Sequence, residues 1–299
     1  MLIIKTIAHE TIWGGTKLAP YANIESDKIG HLYSLVSNGE YESEILNGEY
    51  KGQLFKKYFD ENKKRLNLDN YKELPFVLAL VDASDDLSLQ VHPNDEIAKV
   101  LEKSDFGKNE SWYFLEAPKT GKIFAGCKAK TSEELKEKVS KNLYNDIIDY
   151  LEVSNGDYVY IQAGTMHALA AGRFVFEIEE NCNAKYRVYE FDSIDSKGNK
   201  RPLQTQNALM AINVDMKPKA QKYDEEKFER LYSTKLLKNL SKYENKSETI
   251  DCLTIINGED TLEGYKVQKG TTIVIEPNES IDLNNLDCIV SRPIIKGEN

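Results

Sequence analysis

Short apolar runs, each closed by a glycine, asparagine or aspartate turn, recur along almost the whole of this 299-residue chain. Turn signals stand at Trp13-Gly14-Gly15, Asn38-Gly39, Asn47-Gly48 and Lys51-Gly52, and again at Asn155-Gly156-Asp157, Gly164, Gly258 and Gly270. Runs this short between such turns are the pattern of a β-sandwich or barrel. Strands are expected at 111–115, 123–127, 158–162, 174–179 and 186–191, with 74–90 forming two strands about a turn near Ser84-Asp85-Asp86. Further β-like runs lie at 249–257, 263–267, 271–276 and 288–291.

Helical signals end by residue 210. Leu54, Phe55, Tyr58 and Phe59 are at helical spacing within 54–66. Asn94 can cap a helix over 95–102. Thr131 and Glu134 have capping-box form for a helix over 131–142. Further helices are expected over 143–151 and 203–210, with a polar loop at 194–202. The expected fold is therefore mainly β, a sandwich or jelly-roll barrel with helices inserted in its N-terminal half. Around 215–225 the composition turns lysine-rich and weakly patterned, which reads as a linker. Two units follow: 1–215, which holds every histidine, and 216–299, a smaller structural or oligomerisation β unit.

The stretch richest in chemistry is Leu87-Ser88-Leu89-Gln90-Val91-His92-Pro93-Asn94-Asp95. Alternate strand residues share a face. Ser88, Gln90 and His92 thus face one way while Leu87, Leu89 and Val91 pack the other way, which suits the wall of a cavity. Histidine is scarce, with only His9, His31, His92 and His167 in the chain. Zinc accepts imidazole nitrogen and carboxylate oxygen, and a catalytic site leaves one position for water or substrate. His92, Glu110 and His167, with Gln90 as a further oxygen donor, make such a set, because interior positions of different barrel strands converge. Ser88 on the same face is a candidate substrate contact. Taken singly, each residue also has a plainer account: a core imidazole, a solvated carboxylate, an amide bonded to backbone.

Two cations accompany the set. Arg187, in Tyr186-Arg187-Val188-Tyr189, can stabilise developing negative charge or pair with phosphate; an ion pair with Glu177, Glu179 or Glu190 is the alternative. Lys108 lies two residues before Glu110 and shares its face on an extended chain. It is a candidate for proton handling or anion contact, or else a surface lysine.

Composition limits the partners. A hydrophobic fraction of 40% and a charged fraction of 29% suit a soluble globular chain. The net charge of −10 excludes general nucleic-acid binding, which needs a basic face. No run reaches the roughly 18 apolar residues of a membrane span. Met1-Leu2-Ile3-Ile4-Lys5 runs straight into polar residues, so no signal peptide is expected. Cys127, Cys182, Cys252 and Cys288 have no close pairing and no zinc-finger spacing, as in the reduced thiols of a cytoplasmic protein.

Together, Ile12-Trp13-Gly14-Gly15, the 87–95 stretch, residues 107–113, Ala163-Gly164-Thr165-Met166-His167-Ala168 and Tyr186-Arg187-Val188-Tyr189 resemble the type I mannose-6-phosphate isomerases of the cupin superfamily. The resemblance covers most of 1–215. It implies cupin-type jelly-roll barrels and one zinc ion bound by Gln90, His92, Glu110 and His167. It also implies an active-site arginine at Arg187, a lysine at Lys108, and interconversion of mannose 6-phosphate with fructose 6-phosphate in carbohydrate metabolism. The departures fall on the substrate side. Ala79 stands where a lysine is usual and His31 follows Gly30 where glutamate is usual. Glu179-Glu180-Asn181-Cys182-Asn183 replaces a Gln-Gln-Asn-Ser-Asp run. Two alternatives therefore stay open: another sugar-phosphate isomerase or epimerase, and a non-catalytic, metal-containing sugar sensor.

Overall fold

A computed structural model describes residues 1–22, 24–191 and 198–295. It is built of antiparallel sheets. One has seven strands in the order Ala220–Lys222, Asp157–Ile161, Glu110–Glu116, Arg173–Glu180, Phe76–Ala83, Ile7–Gly15 and Ile29–Leu35. A five-stranded sheet runs Tyr186–Tyr189, Leu89–Val91, His167–Ala168, Lys122–Cys127 and Ile148–Glu152. The two sheets enclose a cavity lined by side chains from both. A six-stranded sheet in the C-terminal part runs Leu2–Ile3, Thr272–Ile275, Asp251–Asn257, Ser280–Pro293, Tyr232–Glu244 and Lys227–Phe228.

The period-2 pattern explains where the cavity lies. In Phe76–Ala83 and Arg173–Glu180, which pair along their whole length, one set of alternate residues is Phe76, Leu78, Leu80, Phe174, Phe176 and Ile178. These pack against Tyr232, Cys252, Val274 and Ile289 of the C-terminal sheet and against helix Phe55–Asn62. The other set turns inward: Ala79, Val81 and Val175 pack with Trp13, Trp112 and Phe114, and Glu177 and Glu179 reach the cavity. Both faces are covered, so Phe76–Ala83 is buried throughout and reads as a continuous apolar run. Leu89 and Val91 pack away from the cavity with Met166, Tyr186 and Val188.

The helices fall where their caps are. Asn94 accepts from the Ile97 amide at 3.0 Å to open Asp95–Leu101. Thr131 accepts from the Glu134 amide at 3.1 Å to open Ser132–Ser140. Helix Phe55–Asn62 stops before 66, and Thr205–Ala211 fills most of the expected 203–210 segment. The helix expected over 143–151 is not formed. A 3₁₀ turn, Tyr144–Asp146, leads into strand Ile148–Glu152, which pairs with Lys122–Cys127. Buried Ile147 and Ile148 fit either periodicity in isolation, and the free edge of the five-stranded sheet decides for strand. The expected linker at 215–225 contains strand Ala220–Lys222, which pairs with Asp157–Ile161 on the edge of the seven-stranded sheet. Leu2–Ile3 conversely joins the C-terminal sheet. Residues 194–197 of the expected polar loop lie outside the described residues. Among those described, no helix is long and apolar enough to cross a membrane.

Candidate metal centre and active site

Three strands place one row of candidate residues side by side. Gln90 is the direct cross-strand partner of both Arg187 and His167. His92 follows two residues on, with the same facing as Gln90. Glu110 arrives from the opposite sheet, and Gly107 lets its segment in. A Cβ on Gly107 would stand 2.2 Å from the Pro93 carbonyl oxygen, while the Lys108 amide donates to that oxygen at 3.0 Å. Gly164, at φ +89°, turns the chain ahead of His167, and its amide donates to the His92 carbonyl at 2.9 Å.

His92, Glu110 and His167 are all buried, and their candidate ligand atoms lie within 4.8 Å of one another. His92 Nε2 is 2.9 Å from Glu110 Oε1 and His167 Nε2 is 3.5 Å from Glu110 Oε2. The Nδ1 atoms donate to the carbonyls of Ala184 and Thr165, each at 2.8 Å. A carbonyl can only accept, so both hydrogens sit on Nδ1. Burial, then the neighbouring His92, lowers His167 to about 4, so it is neutral with its Nε2 lone pair facing the carboxylate. Both Nε2 atoms are buried without a hydrogen-bond partner. Two orphaned imidazole nitrogens and a carboxylate aimed at one point are a donor set for a divalent cation, and nitrogen with oxygen suits zinc. Backbone carbonyls holding the far ring nitrogens are the usual second layer of such a site.

A ring of polar groups holds this set from outside. Asn109 donates through its side chain to Glu180 at 2.7 Å and accepts from the Ala163 amide at 2.8 Å. Glu180, nearly fully buried, pairs with Arg230. Arg230 reaches on to Asp95, whose carboxylate also accepts from the Gly107 amide at 2.7 Å. The departure at Glu180 is thus matched by a cation. Asn183 contacts Asn38 at 3.1 Å instead of entering the cavity lining.

The cavity beside the trio is lined by Ser88, Gln90, Lys108, Glu177, Glu179, Lys185, Arg187 and Arg201 among others. Lys108 Nζ lies 3.0 Å from Glu110 and 2.5 Å from Glu179. Burial would lower its pKa, but Glu179, Glu110 and Glu177 together outweigh burial and hold it well above the usual lysine range. Lys108 is an ammonium here, and not a surface one. Glu177 and Glu179 hydrogen-bond to each other. Burial, then Glu179, pushes Glu177 well above the carboxylate range, so it keeps its proton. Lys108, overcoming burial, holds Glu179 below that range. Trp112 Nε1 donates to Glu177 Oε1 at 2.7 Å. Ala79 is the cross-strand partner of Glu177. With alanine there, no cation from that strand ionises Glu177. His31 also lines the cavity, stacked on Tyr33 with ring centroids 5.4 Å apart; burial lowers it to about 3, leaving a neutral imidazole. Arg187 lines the cavity and lies 3.4 Å from Glu190, the ion pair weighed against its active-site role.

Sequence reasoning missed Arg201, which donates to Ser88 Oγ at 2.9 Å and pairs with Glu190. It sits in a polar segment without strand or helix periodicity, so nothing local marked it. Glu177 and Glu179 were read only as partners for Arg187, although their i, i+2 spacing already put both on one face.

Residues 1–119 match the family described as phosphomannose isomerase type I, catalytic domain. A probable mannose-6-phosphate isomerase, GmuF, of Bacillus subtilis is 33% identical over 216 residues, covering 71% of this chain and 68% of that one. Mannose-6-phosphate isomerase ManA of the same organism is 31% identical over 237 residues, covering 79% and 75%. The crystal structure of a mannose 6-phosphate isomerase from Bacillus subtilis superposes with a TM-score of 0.85 at 25% identity, covering 97% of this chain and 99% of that one. The shared architecture is the cupin fold.

Proposed function

The chain belongs to the type I mannose-6-phosphate isomerases, and on that premise we propose that it interconverts mannose 6-phosphate and fructose 6-phosphate with one zinc ion held by Gln90, His92, Glu110 and His167. The observation that carries this reading is the convergence of His92, Glu110 and His167, with two orphaned nitrogens, on a cavity that also holds a proton-sharing carboxyl pair. The unit at 1–215 supplies the chemistry, and 216–299 buttresses its outer sheet. The protein works as a cytoplasmic enzyme of carbohydrate metabolism.

The reaction moves a proton between adjacent carbons through a cis-enediol. A divalent ion bound by the four residues would polarise the carbonyl and neighbouring hydroxyl oxygens. Glu177 and Glu179 share one proton, so one can accept while the other donates. Lys108, held as an ammonium, keeps Glu179 ionised and can hydrogen-bond an oxyanion rather than act as the base. Arg187, level with Gln90, stabilises negative charge on the enediolate oxygens. Trp112 and Trp13 close apolar walls around these groups.

His31 and Glu179 face the cavity where the resemblance has other residues, and they favour one second reading: isomerisation of a different sugar phosphate at the same centre. Purified protein with measured metal content, assayed on mannose 6-phosphate and on other hexose and pentose phosphates with and without added zinc, tests both readings. Turnover of mannose 6-phosphate ahead of the others supports the first. Preference for another sugar phosphate would replace it with the second, and inactivity on all of them with full metal would overturn both.

A further inference from the structure

Three departures from the resemblance, at Ala79, His31 and Glu179, meet on one wall of the cavity. Strand Phe76–Ala83 pairs with Ile29–Leu35 on one side and Arg173–Glu180 on the other, and Ala79 is registered with Tyr33 and with Glu177. Residues paired directly across strands share a face, so a lysine at 79 would project its ammonium beside Glu177. The alanine methyl group leaves that space open. One ring nitrogen of His31 and one oxygen from each of Glu177 and Glu179 lie within 4.8 Å of one another. His31 is fixed by its stack on Tyr33 and by the edge of Trp13, with ring centroids 5.4 and 5.1 Å away, and its Nδ1 is buried without a hydrogen-bond partner. Buried polar atoms are nearly always paired, so an orphaned ring nitrogen in a cluster with two carboxyl groups marks a place for a ligand. Glu177 is fixed from behind by the Trp112 indole, which donates to its Oε1 at 2.7 Å.

From this geometry we propose that His31, Glu177 and Glu179 form a second divalent-cation site, distinct from the one at His92, Glu110 and His167. One imidazole nitrogen and two carboxylate oxygens suit zinc or a similar ion, with water completing its shell. Two carboxylates also match the charge of one divalent ion. Lys108 stands between the two groups, with Nζ 3.0 Å from Glu110 and 2.5 Å from Glu179. Its ammonium competes for Glu179 and repels an ion on either side. The second site is therefore the weaker one: it fills only with excess metal and empties on dialysis, leaving one ion per chain. An ion there takes the place of the proton that Glu177 and Glu179 share, since metal ligands must be deprotonated. Occupancy and proton transfer by this pair exclude each other. That exclusion rests on the isomerase reading above, whereas the site itself does not.

The test is calorimetric titration of the metal-free full chain with zinc chloride. The parent is expected to bind two ions in a tight and a weaker step. His31→Phe keeps a ring to stack on Tyr33 but has no ligand nitrogen. It should keep the tight step and weaken the other by at least about 10- to 100-fold, which losing even the hydrogen-bond partner of a ligand can cost. Glu179→Gln, which puts an amide where the resemblance has one, should do the same and decides alone if His31→Phe does not fold. His92→Ala should lose the tight step and keep the weaker one. A weaker step unchanged in His31→Phe or in Glu179→Gln overturns the proposal, as does a single step that His92→Ala abolishes. A single step kept in His92→Ala and lost in His31→Phe would uphold the cluster and overturn the centre at His92, Glu110 and His167 instead. No zinc binding by the parent would overturn both.

Discussion

The Nε2 atoms of His92 and His167 look onto the two oxygens of a single carboxylate, Glu110, at 2.9 and 3.5 Å. Their rings are 4.9 Å apart by centroid, although the residues come from strand regions 75 positions apart in sequence. Removing either ring takes away one arm of the cation's donor set. His92→Ala and His167→Ala are each expected to lose the bound metal in elemental analysis. A ligand at a thousand times its Kd stabilises a fold by about 4 kcal/mol, so chelation should lower the Tm of the parent by several degrees. Neither variant should respond to chelator, and full metal retention in both would remove the proposed centre.

Arg187→Ala is expected to keep its metal and lose about 10²–10³ in kcat, the usual cost of a donor to developing negative charge. Arg187→Lys should recover only part of it, because an ammonium lacks the planar fork. A variant with parental specific activity and a lower Tm would instead identify Arg187 as a strand ion-pair partner of Glu190.

Glu177→Gln keeps an acceptor for Trp112 Nε1 and a donor for Glu179, but it cannot release a proton. Its Tm should stay near the parent value while kcat falls by about 10²–10⁴, the range of a general acid–base contribution. Unaltered turnover would exclude Glu177 from proton transfer.

The Glu180–Arg230 pair should behave as a buried pair with one nearly inaccessible member. Breaking such a pair from one side typically costs about 3–5 kcal/mol. Because the Arg230 side chain is partly exposed, Arg230→Met is expected near the lower end in urea denaturation. Glu180→Gln should cost less, and the double variant should fall short of the sum of the two. Strict additivity would show that the pair is not coupled.

Burial pushes Glu229 up from 4.5 to about 7, with Glu180 reinforcing the rise and the Tyr158 hydroxyl opposing it. The unfolded chain therefore releases this proton near pH 4.5, whereas the folded chain keeps it to about pH 7. In that window the unfolded state binds fewer protons, so this residue's contribution to stability falls as pH rises. Denaturation midpoints at several pH values between 4.5 and 8 should show a shallower decline in Glu229→Gln than in the parent.

Much of the convergence of the candidate metal-binding residues could be read in the sequence because its grammar is local. Ser88, Gln90 and His92 keep strand alternation, and Gly164 marks the turn that delivers His167. The substrate side was harder to read. Whether Glu177 is a proton carrier depends on Glu179 beside it, Ala79 across from it and Lys108 on another strand, and no spacing rule joins these. Strand Tyr232–Glu244 was missed for a related reason: beyond its first three buried residues the solvent-facing positions are rich in lysine, and its order comes from pairing with Ser280–Pro293. The helix expected over 143–151 gives way to strand Ile148–Glu152 because its apolar residues suit both periods, and only an available sheet edge distinguishes them.

Strand Leu2–Ile3 pairs with Thr272–Ile275, a partner about 270 residues further along the chain. During synthesis the Ile4 amide, which ends on the Thr272 carbonyl, must wait in water until about 270 further residues have emerged, although Ile3 already has Leu46 and Asn47 within reach. The cavity's strands, apart from the edge strand Ala220–Lys222, are synthesised by residue 189 and can begin to pair before that closure. The sheet behind them gains this edge only when Leu2–Ile3 meets Thr272–Ile275. Closing so long a loop costs only slightly more entropy than closing a short one, but non-local pairing is slow. This single short ladder thus makes the assembly of the C-terminal sheet a late event in the life of the nascent chain.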